Sequence, residues 1–149
     1  MGLAKKITEK DHFRNGEALD EGFFHLTPET GTLRYMSVEN GKGRPYGWSS
    51  DVYSLGILIH EVLSLRVPFG GIPPRQFREV VWTQGQRLDV DPTWPETIQN
   101  VLPQMWDADA MARPKMNEIV EILNNMLRGK DQDLFPKALV MRTKRFGLL

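Results

Sequence analysis

Residues 51–65 most constrain the fold, because they predict a helix that is apolar on more than one face. At about 100° per residue, most of their aliphatic side chains fill an arc of roughly 160°. Tyr53 and Ile57 fall outside it, on the opposite side. A helix with several apolar faces is covered on several faces, so we predict that this helix is central. The arc contains Val52, Leu55, Leu58, Ile59, Val62, Leu63 and Leu65.

The predicted central helix has a start and a stop signal in the sequence. Ser49 or Ser50 is a candidate cap for a helix that begins at Asp51, whose carboxylate suits the positive end of the helix dipole. Residues 66–71 include Pro68 and two glycines, which predict a turn. The central helix is therefore expected to end near residue 65.

Three further helices are predicted toward the carboxyl end of the chain. Residues 73–82 open with two prolines and carry spaced apolar side chains, and residues 95–102 carry Ile98, Val101 and Leu102. Pro103 should kink or end the second of these helices near Leu102, at a cost of about 3 kcal/mol for continuing through it. Residues 115–128 predict an amphipathic helix, with an apolar arc of roughly 160°. That arc consists of Met116, Ile119, Val120, Ile122, Leu123, Met126 and Leu127.

The first third of the chain has a different character. Residues 1–48 are punctuated by glycine and proline and show little helix or strand periodicity. Irregular segments of this length are uncommon in a compact domain unless they are functional or disordered, and both readings stay open here. Residues 129–149 form a basic tail.

Composition excludes several classes of function. Nineteen basic and nineteen acidic residues cancel, so no electrostatic case arises for a nucleic-acid partner or an anionic membrane. The chain has no cysteine, and its three histidines lack ligand spacing, so no metal site is predicted. The longest apolar run is far too short to cross a bilayer. We expect a soluble, cytoplasmic protein.

Three motifs occur in one order along the chain. The first occupies residues 30–39, the second occupies residues 51–59 at the start of the central helix, and the third joins residues 106–109 to Arg113 and Pro114. In order and spacing they resemble the peptide-positioning loop, the central helix and the Arg-Pro element of a protein kinase. The resemblance covers residues 1–128. It implies a mainly α fold, the C-terminal lobe of the protein-kinase fold, with the N-terminal lobe lying outside these 149 residues.

The resemblance also divides the chain. Residues 1–48 would be the activation segment and peptide-positioning loop, residues 49–128 the helices of the lobe, and residues 129–149 a tail. Gly31 and Thr32 followed by Arg34, Tyr35 and Met36 resemble serine/threonine kinases of the tyrosine-kinase-like group more than tyrosine kinases.

Little of the phosphate chemistry of a kinase is found in this sequence. Gly2 matches only the Gly of the Asp-Phe-Gly motif, whose Asp holds magnesium. The 149 residues contain no Gly-rich phosphate loop, no Val-Ala-Ile-Lys strand and no His-Arg-Asp catalytic loop. We therefore expect no catalytic residue, no metal and no cofactor in the isolated chain, and ATP and Mg²⁺ in a complete parent kinase.

The family gives roles to several residues of this chain. A peptide substrate would be positioned by residues 33–36, and Thr32 would support that loop. Thr27 and Thr30 lie where the family places switch phosphorylations, although solvated loop hydroxyls are an equal reading. Asp51 matches the Asp that braces the catalytic loop. The whole peptide-positioning set is Gly31, Thr32, Leu33, Arg34, Tyr35 and Met36.

Glu39 and Arg113 match a buried ion pair of the family, in which a bidentate contact would pin the loop to the last helices. Two unrelated surface charges are the alternative. Ser37 and Val38 stand where the family has Ala and Pro, so a looser turn is expected before Glu39.

Two functions follow from these residues. In the first, the chain is part of a serine/threonine kinase that acts on protein substrates, and it is inactive by itself. In the second, it is a non-catalytic interaction module derived from a kinase, for which the replaced Ala-Pro and Pro103 are the support. In the second reading, one apolar face of the central helix would lie bare and attract a protein partner.

Overall fold

The structure is a computed structural model that describes residues 8–14, 17–19, 23–24, 26, 32–126 and 128. Gly2, Thr27, Thr30 and Gly31 lie outside the described residues, as does the predicted tail at 129–149. The division of the chain near residues 48 and 128 stays a prediction.

Helices dominate the described part of the chain. The α-helices are α1 (Val38–Gly41), α2 (Trp48–Ser64), α3 (Pro74–Phe77), α4 (Glu96–Met105) and α5 (Met116–Asn125). Short 3-10 helices occupy Glu9–His12 and Leu33–Tyr35, and a π-helical turn, Arg78–Thr83, continues α3. The predicted mainly α fold is confirmed. Among the described residues, no helix is long and apolar enough to cross a membrane.

Two short antiparallel strand pairs lie in the first third of the chain. Strand β1 (Phe13–Arg14) pairs with β2 (Glu17–Ala18). Strand β3 (Phe23–Phe24) pairs with β4 (Tyr46–Gly47), which leads directly into α2. The second pair ties the segment before the peptide-positioning loop to the start of the central helix.

Helix α2 runs through the core, and both of its apolar sides contact the core. In the predicted arc, Val52 is buried, and three further side chains pack partly against the core: Leu55, Ile59 and Leu63. Its most buried large side chains are Tyr53 and Ile57, both 0% exposed, which lay outside the predicted arc. Leu58, Val62 and Leu65, which lay within it, are about half exposed. Periodicity identifies apolar faces but not their neighbours, and here α4 and the loops beside it cover the Tyr53 side. We call the side with Leu58, Val62 and Leu65 the open face of α2.

Close packing on the covered side requires a glycine. A Cβ on Gly56 would lie 2.9 Å from the Cβ of Met105, because α2 and α4 approach each other there. Met105 and Leu102 of α4 are fully buried against this side.

The predicted cap of α2 is wrong, and of the two outcomes expected at Pro103, a kink or an end of the helix, the end is wrong. Helix α2 begins at Trp48 with Gly47 as its N-cap and no side-chain cap, so neither Ser49 nor Ser50 caps it. Helix α4 continues through Pro103 to Met105 instead of ending near Leu102. Pro103 is exposed, whereas Leu102 and Met105 are buried. Packing of the turn around the proline therefore compensates for the missing amide hydrogen bond.

The predicted amphipathic helix near the end of the chain is present as α5. Ile119 and Met126 are buried, and Ile122 and Leu123 pack partly against the core. Met116 and Val120 are 39% and 51% exposed, so the predicted apolar arc is wider than the buried face.

Candidate functional site

The peptide-positioning loop is a single 3-10 turn that lies against α2. The hydroxyl of Ser54 donates a hydrogen bond to the carbonyl of Tyr35 at 2.8 Å. The indole Nε1 of Trp82 donates to the carbonyl of Met36 at 3.3 Å. Met36 is buried, and Leu33 and Tyr35 pack against the core cluster. The backbone of the loop is therefore held from two directions, by α2 and by the π-helical turn.

Arg34 anchors the loop to the turn that follows α2. Its Nη1 donates to the carbonyl of Pro68 at 2.9 Å and to the carbonyl of Phe69 at 2.5 Å. Phe69 has a φ of 52°, a left-handed conformation that is unusual for a bulky residue. Because its guanidinium is used on this turn, Arg34 acts in the loop as an internal anchor.

Tyr35 gives the loop a third attachment. Its hydroxyl donates to Oε2 of Glu61 on α2 at 2.5 Å. That hydrogen bond, followed by burial and the charge of Glu61, raises the pKa of Tyr35 above its ordinary value. The phenol therefore stays a neutral donor, and the loop and the end of α2 are held together.

Thr32 stands at the edge of this arrangement. It is exposed and precedes the 3-10 turn in an extended conformation, with no side-chain hydrogen bond that caps the turn. Gly31, the first residue of the peptide-positioning set, lies outside the described residues.

The structure brings Glu39 and Arg113 together across 74 residues of sequence. Nη1 and Nη2 of Arg113 each donate to one carboxylate oxygen of Glu39 at 2.8 Å. The Arg113 side chain is fully buried and that of Glu39 is 9% exposed. Burial works to raise the pKa of Glu39, but Arg113 and the hydroxyl of Ser50 outweigh it and hold the pKa below its ordinary value.

Arg113 also connects this ion pair to the surrounding elements. Its Nε donates to the carbonyl of Asp107 and its Nη1 to the carbonyl of Ser49, at 3.0 and 2.9 Å. The guanidinium carbon lies 5.1 Å from the ring centroid of Tyr53, a cation–π distance. The arrangement fixes the end of the peptide-positioning segment to the start of α2 and to the loop before α5.

Two serines complete this junction, and sequence reasoning gave them other roles. Ser37 donates to the hydroxyl of Ser50 at 2.9 Å, and Ser50 donates to Oε1 of Glu39 at 2.7 Å. Both serines are buried. Instead of a looser turn before Glu39, Ser37 ties that turn to α2. Ser50 lies one helical turn before the half-buried Ser54, but no local pattern points to a carboxylate 11 residues away.

Asp51 lies in the first turn of α2, where its charge favours the helix dipole. Its side chain is largely exposed, yet nearby protein desolvates the carboxyl enough to raise its pKa. Among the described residues, no hydrogen bond or ion pair reaches this carboxylate.

Among the described residues, no group of three or more His, Cys, Asp or Glu side chains could hold a metal ion.

Comparison with known proteins agrees with this geometry. The protein tyrosine and serine/threonine kinase family matches residues 1–123. A probable serine/threonine-protein kinase, gdt4, of Dictyostelium discoideum is 39% identical over 108 residues, which are 72% of this chain and 7% of that protein.

Two further relatives come from an animal and a plant. Human mitogen-activated protein kinase kinase kinase 7 is 33% identical over 115 residues, 74% of this chain and 19% of the relative. The serine/threonine-protein kinase STY17 of Arabidopsis thaliana is 32% identical over 108 residues, which are 72% of this chain and 19% of that protein. The chain spans about a fifth or less of the length of these relatives. Its match to the family covers most of its own length, and it belongs to the protein tyrosine and serine/threonine kinase family.

Proposed function

We propose that the chain forms the substrate-positioning part of a serine/threonine protein kinase, whose complete form transfers the γ-phosphate of ATP to Ser or Thr side chains of proteins. The observation that carries this proposal is the loop around Arg34 and Tyr35, held to α2 and to the turn after it by hydrogen bonds at 2.5–2.9 Å. A rigid loop of this kind contributes to catalysis by orienting the acceptor peptide.

Two of the named relatives support the choice of Ser and Thr over Tyr, since gdt4 and STY17 are described as serine/threonine-protein kinases. ATP and Mg²⁺ would be bound by residues outside the described part of the chain. The 149 residues alone are proposed to be inactive, cytoplasmic, and without a nucleic-acid or membrane partner.

The test begins with the protein that cells make. An antibody against residues 142–149 captures the native protein, whose intact mass is measured before the sample is incubated with Mg-ATP and peptide libraries with Ser, Thr or Tyr acceptors. We expect a mass well above 17.1 kDa and phosphate on Ser and Thr peptides. Transfer only to Tyr, or no transfer by a protein of that larger mass, would contradict the proposal.

The isolated chain gives the complementary test. A titration of ATP in the presence of Mg²⁺ should show no saturable binding at micromolar nucleotide. Saturable, magnesium-dependent binding would show that the 149 residues contain a nucleotide site and would overturn their proposed inactivity.

A non-catalytic interaction module is the second candidate, and one observation favours it. Leu58, Val62 and Leu65 form an exposed apolar row on the open face of α2, and such rows are typical of surfaces that a partner covers. A native mass near 17.1 kDa, together with capture of a bound protein that is lost in a Leu58→Glu/Val62→Glu variant, would favour this function over the first. Kinase motifs encoded in frame upstream would favour the first.

A further inference from the structure

A groove lies beside the C-terminal end of α2, away from the Glu39–Arg113 junction. Its volume is about 1120 Å³, larger than the roughly 300–1,000 Å³ of a typical small-molecule site. One wall consists of the turn after α2, with Val67 61% exposed and Leu65 49% exposed. The opposite wall is residues 86–91, which belong to no helix, strand or turn.

The burial pattern of the second wall is that of a strand. Leu88 and Val90 are half-buried and pack against the core, whereas Asp89 and Asp91 are exposed. This alternation has the period of two residues that an extended chain shows. The side chains thus divide into an apolar inner face and an acidic outer face.

The backbone of this segment is paired on one side only. The carbonyl of Asp89 accepts a hydrogen bond from Nε2 of His60 at 2.9 Å, and the carbonyl of Asp91 accepts one from the amide of Trp94 at 3.1 Å. Among the described residues, the amides and carbonyls of Leu88 and Val90 have no hydrogen-bond partner. Because successive backbone groups of an extended chain point to opposite edges, these four free groups share one edge.

We propose that residues 88–91 are a docking edge for an extended segment of the protein substrate, which pairs its backbone with Leu88 and Val90. This inference rests on the proposed kinase function. Pairing with an exposed edge is a known way to bind extended peptides, with affinity from the backbone and specificity from alternate side chains.

The side chains of the edge define the chemistry of the segment. Residues opposite Leu88 and Val90 point to the inner face, where exposed Leu65 and Val67 favour apolar side chains. Residues opposite Asp89 and Asp91 point outward, where a cation forms a favourable cross-strand pair. Asp91 already accepts hydrogen bonds from the amide and hydroxyl of Thr93, at 2.8 and 2.7 Å. The Asp89 carboxylate accepts no hydrogen bond within the described chain. Asp89 therefore contributes most to the preference of the edge for a segment that alternates apolar and basic side chains.

The groove is continuous with the peptide-positioning loop, which favours a substrate as its occupant. Phe69 lines the groove, and its carbonyl accepts the hydrogen bond of Arg34. A polypeptide whose acceptor residue lies on the loop can therefore reach the groove with a neighbouring segment.

The test measures binding without catalysis. A fluorescein-labelled nonapeptide that alternates Val with Lys is titrated into the full 149-residue chain and followed by polarisation. Two matched peptides are compared with it, one N-methylated on the odd-numbered central amides and the other on the even-numbered ones. Each methylation removes the amide donors along one edge of the extended peptide and leaves every side chain in place. We expect one methylated peptide to lose at least tenfold in affinity and the other to keep it. Equal affinity for both methylated peptides, or no binding of the parent peptide, would overturn the proposal.

Variants of the chain locate the site. Asp89→Lys should weaken binding of the nonapeptide by about tenfold, whereas Glu121→Lys, the same charge reversal at an exposed position of α5, should not. An equal loss of affinity in the two variants would contradict the location of the site at residues 88–91. The chain's own basic tail is the competing occupant, so Arg142→Glu/Lys144→Glu is tested beside them. If this tail variant binds the nonapeptide tenfold more tightly than the natural chain, the groove is assigned to the tail and the substrate assignment is overturned. Unchanged affinity for the nonapeptide supports the substrate assignment.

The complete kinase separates this inference from the proposed function. A substrate with the alternating segment attached should show a lower KM with kcat unchanged, and Asp89→Lys should abolish the difference. Peptide binding by an inactive protein would refute the kinase proposal and leave the edge intact. Activity with no effect of the attached segment would refute the edge alone.

Discussion

The two sides of α2 differ in how completely this chain covers them. On one side, Tyr53 and Ile57 are fully buried, and the Glu39–Arg113 pair lies beside them with its hydrogen bonds satisfied. On the other side, Leu58 and Val62 are about half exposed. The difference teaches that the chain packs closely against one side of α2 and leaves apolar side chains exposed on the other.

The largest expected effect on stability comes from breaking the buried Glu39–Arg113 ion pair. Arg113→Met should lower the free energy of unfolding by roughly 3–5 kcal/mol, because it leaves the Glu39 carboxylate buried without its partner. Urea unfolding followed by tryptophan fluorescence measures the change. The double variant Glu39→Gln/Arg113→Met is the control, and it should be less destabilised than the sum of the two single variants. Additive losses would mean that the two residues do not interact.

Substitutions at two adjacent residues of α2, Ile57 and Leu58, give the closest comparison of its two sides. Ile57→Ala should cost about 2–5 kcal/mol, since it opens a cavity at a fully buried position. Leu58→Ala, at a position 46% exposed, should cost less than about 1 kcal/mol. Urea unfolding of the two variants tests this under identical conditions. Similar losses for both would show that the open face is packed in solution.

A glycine substitution probes the close packing of α1 against Trp82 of the π-helical turn. A Cβ on Gly41 would lie 2.3 Å from ring atoms of Trp82, so Gly41→Ala should cost about 1–3 kcal/mol through overpacking. Gly71 is the matched control, because nothing lies within 4 Å of its added Cβ. Thermal melting should therefore separate the two alanine variants, and equal melting temperatures would contradict the packing of Trp82 on α1.

The smallest effect concerns pH. The pKa of Glu39 is lower in the folded chain than in the unfolded chain, so its contribution is complete above the unfolded value of about 4.3. That contribution is lost as the pH falls through the lower folded pKa. Stability measured from pH 6 to pH 3 should fall more steeply for the natural chain than for Glu39→Gln. Parallel curves would mean that Glu39 titrates normally.

Particular residues show what the sequence could predict. The existence of α2, α4 and α5 followed from periodicity, and the proximity of Glu39 to Arg113 was implied by the kinase resemblance. Periodicity predicted that the Tyr53 side of α2 is covered, but it could not predict that two arginines, Arg87 and Arg113, lie over the ring of Tyr53 at 5.9 and 5.1 Å. These contacts depend on chain segments that are distant in sequence.

The details of the site were harder for the same reason. The kinase resemblance assigned Arg34 to the substrate-positioning loop, but it did not indicate that Arg34 donates hydrogen bonds to the carbonyls of Pro68 and Phe69, and nothing local marks those carbonyls as acceptors. Ser50 had the pattern of a helix cap, yet its hydroxyl donates to Glu39. For Ser50, a tertiary partner overrode the local preference.

Thiol labelling measures the difference between the two sides of α2 most directly. The natural chain has no cysteine, so Ile57→Cys and Leu58→Cys each introduce a single thiol, one residue apart on the same helix. We predict that Cys at position 58 reacts with a maleimide in the folded chain at a rate within tenfold of the unfolded chain. Cys at position 57 should react only as fast as the chain unfolds. Equal protection of the two thiols, measured at a concentration where the chain is monomeric, would contradict an open face on α2.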